Sequence, residues 1–338
     1  MAWVTGFSCI TALGNTQTTW QKLMEGKTAI RSGLASVEGY NNLESLLWAA
    51  VREAVGSRNL PADCALVVGS SRHYQADLEA GKWVLPAQLS GLIAAWLGIR
   101  GMVVGLSCAC ATGNWVIVRA LELLEECSMV VVACADRAIT PLSIGGFRQM
   151  GALAESCHPF SQERRGMVLG EGAAAMVLEA QGSGIKVLGW GCTNDASHIT
   201  TPQRSGETIK IAIDRCLKMS NVTPEQVDLV FAHGTATAYN DQVEGQVLAE
   251  IFPHQPWVCA VKGALGHSLG AASLIEAVLC VLMLQHQIVL PVVGLVTPAF
   301  HLRLPRKWEA IKASIALNLS FGFGGQNTAV CFGNRAGF

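Results

Sequence analysis

The stretch MVVGLSCACATGNWVIVRALELLEEC, residues 102–127, carries the pattern that decides the fold. Its first part, residues 102–108, is a short apolar run typical of a buried strand. Its second part, residues 111–127, has apolar residues three or four positions apart along one helical face. Two cysteines and a glycine stand at the junction. We therefore predict a strand, a sharp turn and a helix, with a cysteine at the start of the helix.

The same alternation of strand and helix continues outward from this unit. Residues 64–71 and 128–137 are further apolar strands, and residues 87–99 have helical spacing. Fully apolar strands separated by helices indicate a parallel or mixed sheet that is covered on both faces. The sequence therefore predicts an α/β fold.

The second part of the chain repeats this organisation. Helices are predicted at residues 206–219 and 272–286, and strands precede and flank its glycine-rich loops. No linker or change of composition separates the two parts. We predict two similar α/β halves that share one core, residues 1–184 and residues 185–338.

Composition excludes several classes of function. The chain has 338 residues, a formal net charge of −1, 14% charged and 51% hydrophobic residues. This balance gives no indication of binding to nucleic acid or to an anionic membrane, and it predicts a large core or an extensive subunit interface. The apolar segment 274–284 contains Glu276 and is too short to span a bilayer, so we predict a buried helix and no stable membrane insertion.

The twelve cysteines lie mostly inside apolar runs. Cys108 and Cys110 form a C-x-C pair without the second pair that a zinc site needs, so we predict no metal. Buried thiols without the context of a secreted protein indicate a reducing, cytoplasmic compartment. The N-terminal residues lack the pattern of a signal peptide.

Cys110 is the candidate nucleophile. A cysteine at a helix start has its sulfur near unpaired backbone N–H groups, which stabilise a thiolate. The small residues that follow let the backbone turn sharply, as in a nucleophile elbow. The same residue is also compatible with a small buried side chain, and the spacing alone leaves both interpretations open.

Two histidines and a glycine cluster complete the candidate site. His233 ends an apolar strand, and His267 lies between glycines five residues after Lys262. The FGFGG segment, residues 321–325, lacks the features of a phosphate loop. Its backbone N–H groups are better suited to hold an oxyanion, with Phe321 and Phe323 as apolar walls.

Six motifs then resemble one family in order and wording, the β-ketoacyl synthases of the elongating, acyl-carrier-protein-dependent type. They are VTGFSCITALGN (4–15), ACATG (109–113), GEGAAAMVLE (170–179), HGTATAYND (233–241), KGALGH (262–267) and SFGFGG (320–325). The resemblance covers nearly the whole chain. It implies the thiolase-like fold, two pseudo-symmetric α/β halves in a five-layered α-β-α-β-α core, and a dimer of identical or different ketosynthase subunits.

The resemblance also implies a role for each matching residue. Cys110 corresponds to the acyl-accepting nucleophile, His233 and His267 to the paired histidines, and Lys262 to a lysine that orders the surroundings of the second histidine. The backbone N–H groups of Phe323 and Cys110 correspond to the oxyanion hole. Thr235 and Thr237 correspond to residues that touch the phosphopantetheine arm, and Phe321 and Met167 to other substrate-binding positions. Asp241 and Glu244 correspond to a structural polar network.

The implied activity is decarboxylative condensation of an acyl-cysteine with malonyl on acyl carrier protein, in fatty-acid-like, polyketide or polyene biosynthesis. No permanently bound cofactor is expected, since the substrates arrive on phosphopantetheine of the carrier protein. Two alternatives stay open: a non-condensing partner subunit like a chain-length factor, and an acyltransferase on the same fold.

The sequence also departs from the family. The part before the nucleophile is shortened, and Leu319 stands where an Asn commonly precedes the Ser-Phe pair. Ser161 and Arg165 replace acidic residues, and Met167 replaces an aromatic one. These differences predict a divergent member with an altered pocket.

Overall fold

The computed structural model describes residues 1–334, so the last four residues of the predicted half 185–338 lie outside the described part. The elements before residue 185 are β1 (Ala2–Thr11), α1 (Thr16–Met24), β2 (Leu34–Ala35), α2 (Leu43–Val55), β3 (Ala65–Gly69), α3 (Gln75–Glu79), α4 (Ala87–Leu97), β4 (Val103–Leu106), α5 (Thr112–Leu123), β5 (Met129–Asp136), α6 (Pro141–Gln149), β6 (Leu169–Gly170) and β7 (Gly172–Glu179).

The elements that follow are β8 (Lys186–Asn194), α7 (Glu207–Met219), β9 (Leu229–Phe231), α8 (Ala238–Ile251), β10 (Trp257–Cys259), α9 (Lys262–Leu265), α10 (Ala272–His286), β11 (Ile288–Val289), β12 (Glu309–Ala310), β13 (Ile315–Gly322) and β14 (Gln326–Gly333). Short 3-10 turns cover Pro224–Gln226 and Leu269–Ala271.

Ten strands form one mixed sheet, in the order β10-β9-β13-β14-β8-β1-β7-β5-β3-β4. The sheet consists of two sets of five strands that meet where Ala2 and Trp3 of β1 pair with Val187 and Lys186 of β8. The strands of the sheet interior are almost completely buried, which explains why they have no polar-apolar alternation in sequence.

The two sets repeat the same pairing. In the first set β3 is parallel to β4 and β5, while β7 is antiparallel to β5 and β1. In the second set β9 is parallel to β10 and β13, while β14 is antiparallel to β13 and β8. The topology is therefore duplicated, as the thiolase-like prediction requires. The division between residues 184 and 185 stays a prediction.

Two helices form the middle layer between the sets of strands. Helices α5 and α10 pack against each other, and each also contacts strands of both sets. On the outer faces, α2 and α4 cover the first set and α7 with α8 covers the second. The order of layers is α-β-α-β-α, and both central helices begin at the level where the candidate site lies.

Close contact between the central helices depends on Gly113, at the second position of α5. A Cβ atom there would lie 2.2 Å from the backbone nitrogen of Leu274 and 2.6 Å from Oγ of Ser273. Both distances are far below van der Waals contact, so a side chain would force the two helices apart. The glycine therefore fixes the start of α5, and with it Cys110, against α10.

The apolar segment around α10 is longer than its sequence indicated. The helical run Leu269–His286 spans 18 residues with a mean hydropathy of 1.7, which is enough to cross a membrane by length and composition. The prediction that this apolar segment is too short to span a bilayer was wrong. The prediction that it is a buried helix is confirmed, because 89% of this run is buried inside the protein.

Candidate active site

A cavity of about 250 Å³ is lined by side chains from both halves. Eight of the residues predicted from sequence line it: Cys110, Met167, His233, Thr235, Thr237, His267, Phe321 and Phe323. The other three, Lys262, Asp241 and Glu244, lie outside the lining and contact its supporting backbone.

Cys110 lies in the turn between β4 and α5. Ala109 has a φ of +49°, a left-handed conformation that costs energy for a residue with a side chain and that forms the sharp turn. Thr112 stabilises the turn, since its hydroxyl accepts the N–H of Cys108 at 2.9 Å and donates to the carbonyl of Ala109 at 2.6 Å. Cys108 does not line the cavity. The predicted elbow therefore places Cys110, and not Cys108, at the cavity.

The position of Cys110 at a helix start suggests a thiolate, but the surroundings of its sulfur favour the protonated thiol. Burial raises the pKa of Cys110 to about 12, although the charges of Lys262 and Arg72 and the N–H of Phe323 lower it. The resting group is thus a thiol, and the sequence argument underestimated the cost of removing its anion from water. Deprotonation must accompany attack on a substrate.

His233 and His267 face the same cavity from different loops. His233 follows β9, and His267 lies between α9 and α10. Their ring centroids are 5.5 Å apart with planes at 84°, and His233 also packs edge-on against Phe321 at 5.4 Å. Burial and the charge of Lys262 lower the pKa of both imidazoles well below its ordinary value. Both are therefore neutral at pH 7.

Two buried carboxylates hold the loop that carries His233. Glu244 accepts the N–H of His233 at 2.7 Å and of Gly234 at 2.9 Å. Asp241 accepts the N–H of Ala236 at 3.0 Å and that of Phe160 at 2.8 Å. Since neither carboxylate lines the cavity, their contribution is to position the backbone of this loop.

Lys262 is buried behind the two imidazoles. Its ammonium donates at 2.5 Å to the carbonyl of His233 and at 2.5 Å to Glu276 of α10. The resemblance associates this lysine with the second histidine, but the hydrogen bond reaches the first. Glu276 was noticed in sequence only as a charge in an apolar helix; a charge there signals a buried partner.

The β13–β14 hairpin forms the opposite wall. Its turn is fixed by Asn194, whose amide donates to the carbonyl of Gly324 at 2.9 Å, and by Ile199, whose carbonyl accepts the N–H of Gly324 at 2.7 Å. Phe321 and Phe323 line the cavity, and the N–H of Phe323 points toward the sulfur of Cys110.

The positions where the sequence departs from the family differ in environment. Arg165 and Met167 line the cavity, so both influence the size and the chemistry of the groups that it can bind. Ser161 is buried and accepts the N–H of Val296 at 2.9 Å, and Leu319 is buried in β13. In residues 1–334, no group of three or more His, Cys, Asp or Glu side chains is arranged to hold a metal ion.

Sequence reasoning missed Asp136, at the end of β5. Its carboxylate accepts the hydroxyl of Ser70 at 2.8 Å and the N–H groups of Arg72 at 2.9 Å and Gly270 at 2.8 Å. It thereby joins the loop after β3 to the turn that follows His267. A lone acidic residue at the end of an apolar strand was the available signal, but its partners lie far away in sequence.

A duplicated five-layer α/β core, with a cysteine and two imidazoles facing one cavity between its halves, defines the class of thiolase-like condensing enzymes. The comparisons then identify the family. Residues 54–182 match the family described as "Beta-ketoacyl synthase, N-terminal domain", and residues 185–296 match "Beta-ketoacyl synthase, C-terminal domain". The chain belongs to the β-ketoacyl synthase family, and the predicted recognition and fold class are confirmed.

Individual relatives agree with this assignment. The chain is 31% identical to the 3-oxoacyl-[acyl-carrier-protein] synthase 2 of Mycobacterium tuberculosis over 334 residues, which cover 90% of this chain and 73% of that protein. It is 34% identical to the enzyme of the same name from Vibrio cholerae over 295 residues, covering 77% and 71%. Among solved structures, "The ishigamide ketosynthase/chain length factor" superposes with a TM-score of 0.89 at 25% identity and covers 99% of both chains.

Proposed function

We propose that this protein is a β-ketoacyl-[acyl-carrier-protein] synthase, an acyltransferase that condenses an acyl group held on Cys110 with malonyl carried by acyl carrier protein. The observation that carries the proposal is the convergence of Cys110, His233 and His267 on one cavity. The relatives from Mycobacterium tuberculosis and Vibrio cholerae are both named 3-oxoacyl-[acyl-carrier-protein] synthase 2, which supports the reaction class.

The first step loads the nucleophile. The sulfur of Cys110 forms a bond to the acyl carbonyl carbon, and the carrier thiol leaves with the proton that Cys110 loses. The N–H groups of Cys110 and Phe323 hold the oxyanion of the tetrahedral intermediate. Because the resting thiol is protonated, deprotonation accompanies attack, and the proton passes to the departing carrier thiolate.

The second step extends the chain. Malonyl on a second carrier loses carbon dioxide, and the remaining electron pair gives an enolate whose oxygen accepts hydrogen bonds from both imidazoles. The Nδ1 atoms of His233 and His267 are buried without a partner among residues 1–334. An N–H there would lack an acceptor, so the hydrogen of each ring is on Nε2. The carbanion then attacks the acyl-cysteine, the new carbon–carbon bond forms, and the thiolate of Cys110 leaves.

The carrier arm occupies the polar side of the cavity. Thr235 and Thr237 line this side and share a hydrogen bond of 2.8 Å between their hydroxyls. Hydroxyl groups at this place suit the amide groups of phosphopantetheine. No permanently bound cofactor is part of the proposal, and the halves 1–184 and 185–338 each supply part of the site.

The protein acts as a dimer with a second ketosynthase-fold subunit. Edge strand β4 is unpaired on its outer side within residues 1–334. Large apolar side chains at this edge are exposed, namely Met102 and Val103 at the start of β4 and Trp96 of α4, the helix that packs against β4. An apolar patch beside an open strand edge is the kind of surface that a partner subunit covers. The cytoplasm, where acyl carrier protein is available, is the proposed location.

Intact-protein mass spectrometry with acyl-loaded carrier protein tests the proposal. We expect one acyl adduct on the wild type and on Cys108→Ala, and none on Cys110→Ala. Addition of malonyl-carrier protein should then release carbon dioxide and a β-ketoacyl product. An adduct without either product would favour the acyltransferase alternative, and the absence of any adduct would favour the non-condensing partner subunit.

A further inference from the structure

Arg72, in the loop after β3, has an unusual environment for an arginine. Its guanidinium carbon lies 5.2 Å from the ring centroid of Phe147. Its backbone N–H is anchored on Asp136 at 2.9 Å. Within residues 1–334, no carboxylate forms an ion pair with its side chain. The half-buried cation is therefore held against an aromatic face and not by an anion.

The aromatic ring under Arg72 belongs to the cavity wall. Phe147 lines the cavity and packs against Phe323, with ring centroids 6.2 Å apart. Phe323 is the residue whose N–H points toward Cys110. A continuous stack of a cation and two rings thus extends from the loop after β3 to the nucleophile.

This stack forms part of the apolar lining of the cavity. The lining contains four threonines, Thr200, Thr201, Thr235 and Thr237. Its apolar side contains Ala152 and Met167, which pack in one cluster with Cys110, Phe147 and Phe323. An acyl chain attached to Cys110 must extend over the apolar side. The whole volume of about 250 Å³ is below the range of roughly 300–1,000 Å³ for ligand pockets, and it must also admit the end of the carrier arm.

The helix that carries Phe147 is fixed at its start. Glu79 accepts the hydroxyl of Thr140 at 2.6 Å and the N–H of Leu142 at 3.2 Å, which ties the first turn of α6 to α3. Phe147 is buried in this helix, with 3% of its surface exposed. Space for a longer acyl chain therefore requires its ring to turn away from the cation.

We propose that Arg72 is a specificity-determining residue: by holding Phe147 across the apolar end of the cavity, it restricts the acyl group on Cys110 to short chains. The inference rests on the proposed function, since it assumes that Cys110 carries the acyl group. Arg72 does not line the cavity, so it acts by positioning Phe147. The substrate class is a short acyl thioester, at the start of chain assembly.

Transfer from S-acyl-N-acetylcysteamine thioesters to the full-length protein tests this selectivity without a carrier protein. The rate of mass gain is measured with acetyl, hexanoyl and decanoyl donors, and the decanoyl-to-acetyl ratio is compared between variants. In the wild type we expect acetyl transfer to be the fastest. Arg72→Met, which keeps length but removes the charge, should raise the ratio by about 3-fold to 30-fold, the range of a cation–π contact.

Three further variants separate selectivity from folding. Phe147→Leu, which removes the ring, should raise the ratio at least as much as Arg72→Met. Arg72→Lys, which keeps the charge, should fall between wild type and Arg72→Met. Arg148→Met, an exposed cation next to Phe147 on α6, should leave the ratio unchanged. If Arg72→Met does not fold, Arg72→Lys decides, and a ratio equal to that of the wild type in this variant would overturn the role of Arg72.

The outcomes distinguish the two levels of inference. Equal acetyl and decanoyl rates in the wild type, or an unchanged ratio in either Arg72→Met or Phe147→Leu, would overturn the length restriction by Arg72 while leaving Cys110 as the acyl carrier. No adduct from any thioester on the wild type would overturn the proposed function, and the length restriction with it.

Discussion

Replacing Lys262 by methionine should destabilise the protein far more than removing an exposed charge. The Lys262 side chain is 1% exposed, and its ammonium has two partners, Glu276 and the carbonyl of His233. Methionine fills a similar volume but leaves both partners buried without a donor. Breaking a buried ion pair from one side costs about 3–5 kcal/mol.

The expected shift in melting temperature follows from chain length. An unfolding entropy of roughly 2.1 cal/mol/K per residue over 338 residues gives about 0.7 kcal/mol/K. The Lys262→Met variant should therefore melt about 4–7 °C below the wild type. The double variant Lys262→Met/Glu276→Gln removes both charges and leaves only the His233 carbonyl unpaired, at about 1–3 kcal/mol, or about 1–4 °C.

The loss of stability in Lys262→Met should also depend on pH. Burial raises the pKa of Glu276 to about 7, above its ordinary value of 4.5, although Lys262 lowers it. A carboxyl with a raised folded-state pKa stabilises the fold while protonated, and this stability is lost as pH rises from about 4.5 through the folded pKa. Without Lys262 that pKa rises further. The difference in melting temperature between wild type and Lys262→Met should therefore be larger at pH 8.5 than at pH 6.

Differential scanning fluorimetry at both pH values measures these differences. Lys218→Met is the matched control, because Lys218 and Asp214 form an exposed pair with side chains 76% and 55% accessible. Its melting temperature should move by no more than about 1–2 °C. Equal melting temperatures for Lys262→Met and the wild type would refute the buried-pair argument, and so would a double variant that is less stable than Lys262→Met.

Three further predictions concern the site and the middle layer. The lowered pKa of His233 and His267 means that both stay neutral as pH falls, so single-turnover condensation should not lose rate to imidazole protonation until well below pH 6.5. Glu244→Gln should slow malonyl decarboxylation about tenfold or more, by releasing the His233 loop, and leave Cys110 acylation nearly unchanged in the mass assay. Gly113→Ala should lower the melting temperature by several degrees, because its Cβ would meet the backbone of α10 at 2.2 Å, whereas Gly145→Ala, which meets nothing within 4 Å, should not.

Local sequence patterns predicted the regular elements well. The helix predicted at residues 272–286 coincides with α10, and the helix at 206–219 begins one residue later, at Glu207. The spacing of apolar residues and the positions of glycine and proline are local properties, so a single segment contains what is needed to predict its helix or strand. The resemblance to a family then placed the cavity residues in one site, which spacing alone could not do.

The remaining features depend on contacts between segments that are distant in sequence. Glu276 is visible in sequence as a charge in an apolar helix, but its pairing with Lys262 of α9 arises only in the folded chain. The cation over Phe147 joins residues 72 and 147 through tertiary packing. The thiolate argument for Cys110 failed for the same reason, since the cost of burial is set by the surrounding fold and not by the helix start.

A buried polar network explains how the two halves keep their register at the nucleophile. The side chains of Asn114 and Asn318 bond to each other at 2.9 Å, and Asn318 also donates to the carbonyl of Ser273 at 2.8 Å. Ser320 donates to the carbonyl of Cys110 at 3.0 Å. These bonds join α5, α10 and β13, and the partners are nearly all inaccessible to water. Sliding one half by one residue would leave several buried polar groups unpaired, which costs about 1–3 kcal/mol each. The network therefore restricts the pairing of the halves to the one in which the cysteine of the first faces the histidines of the second.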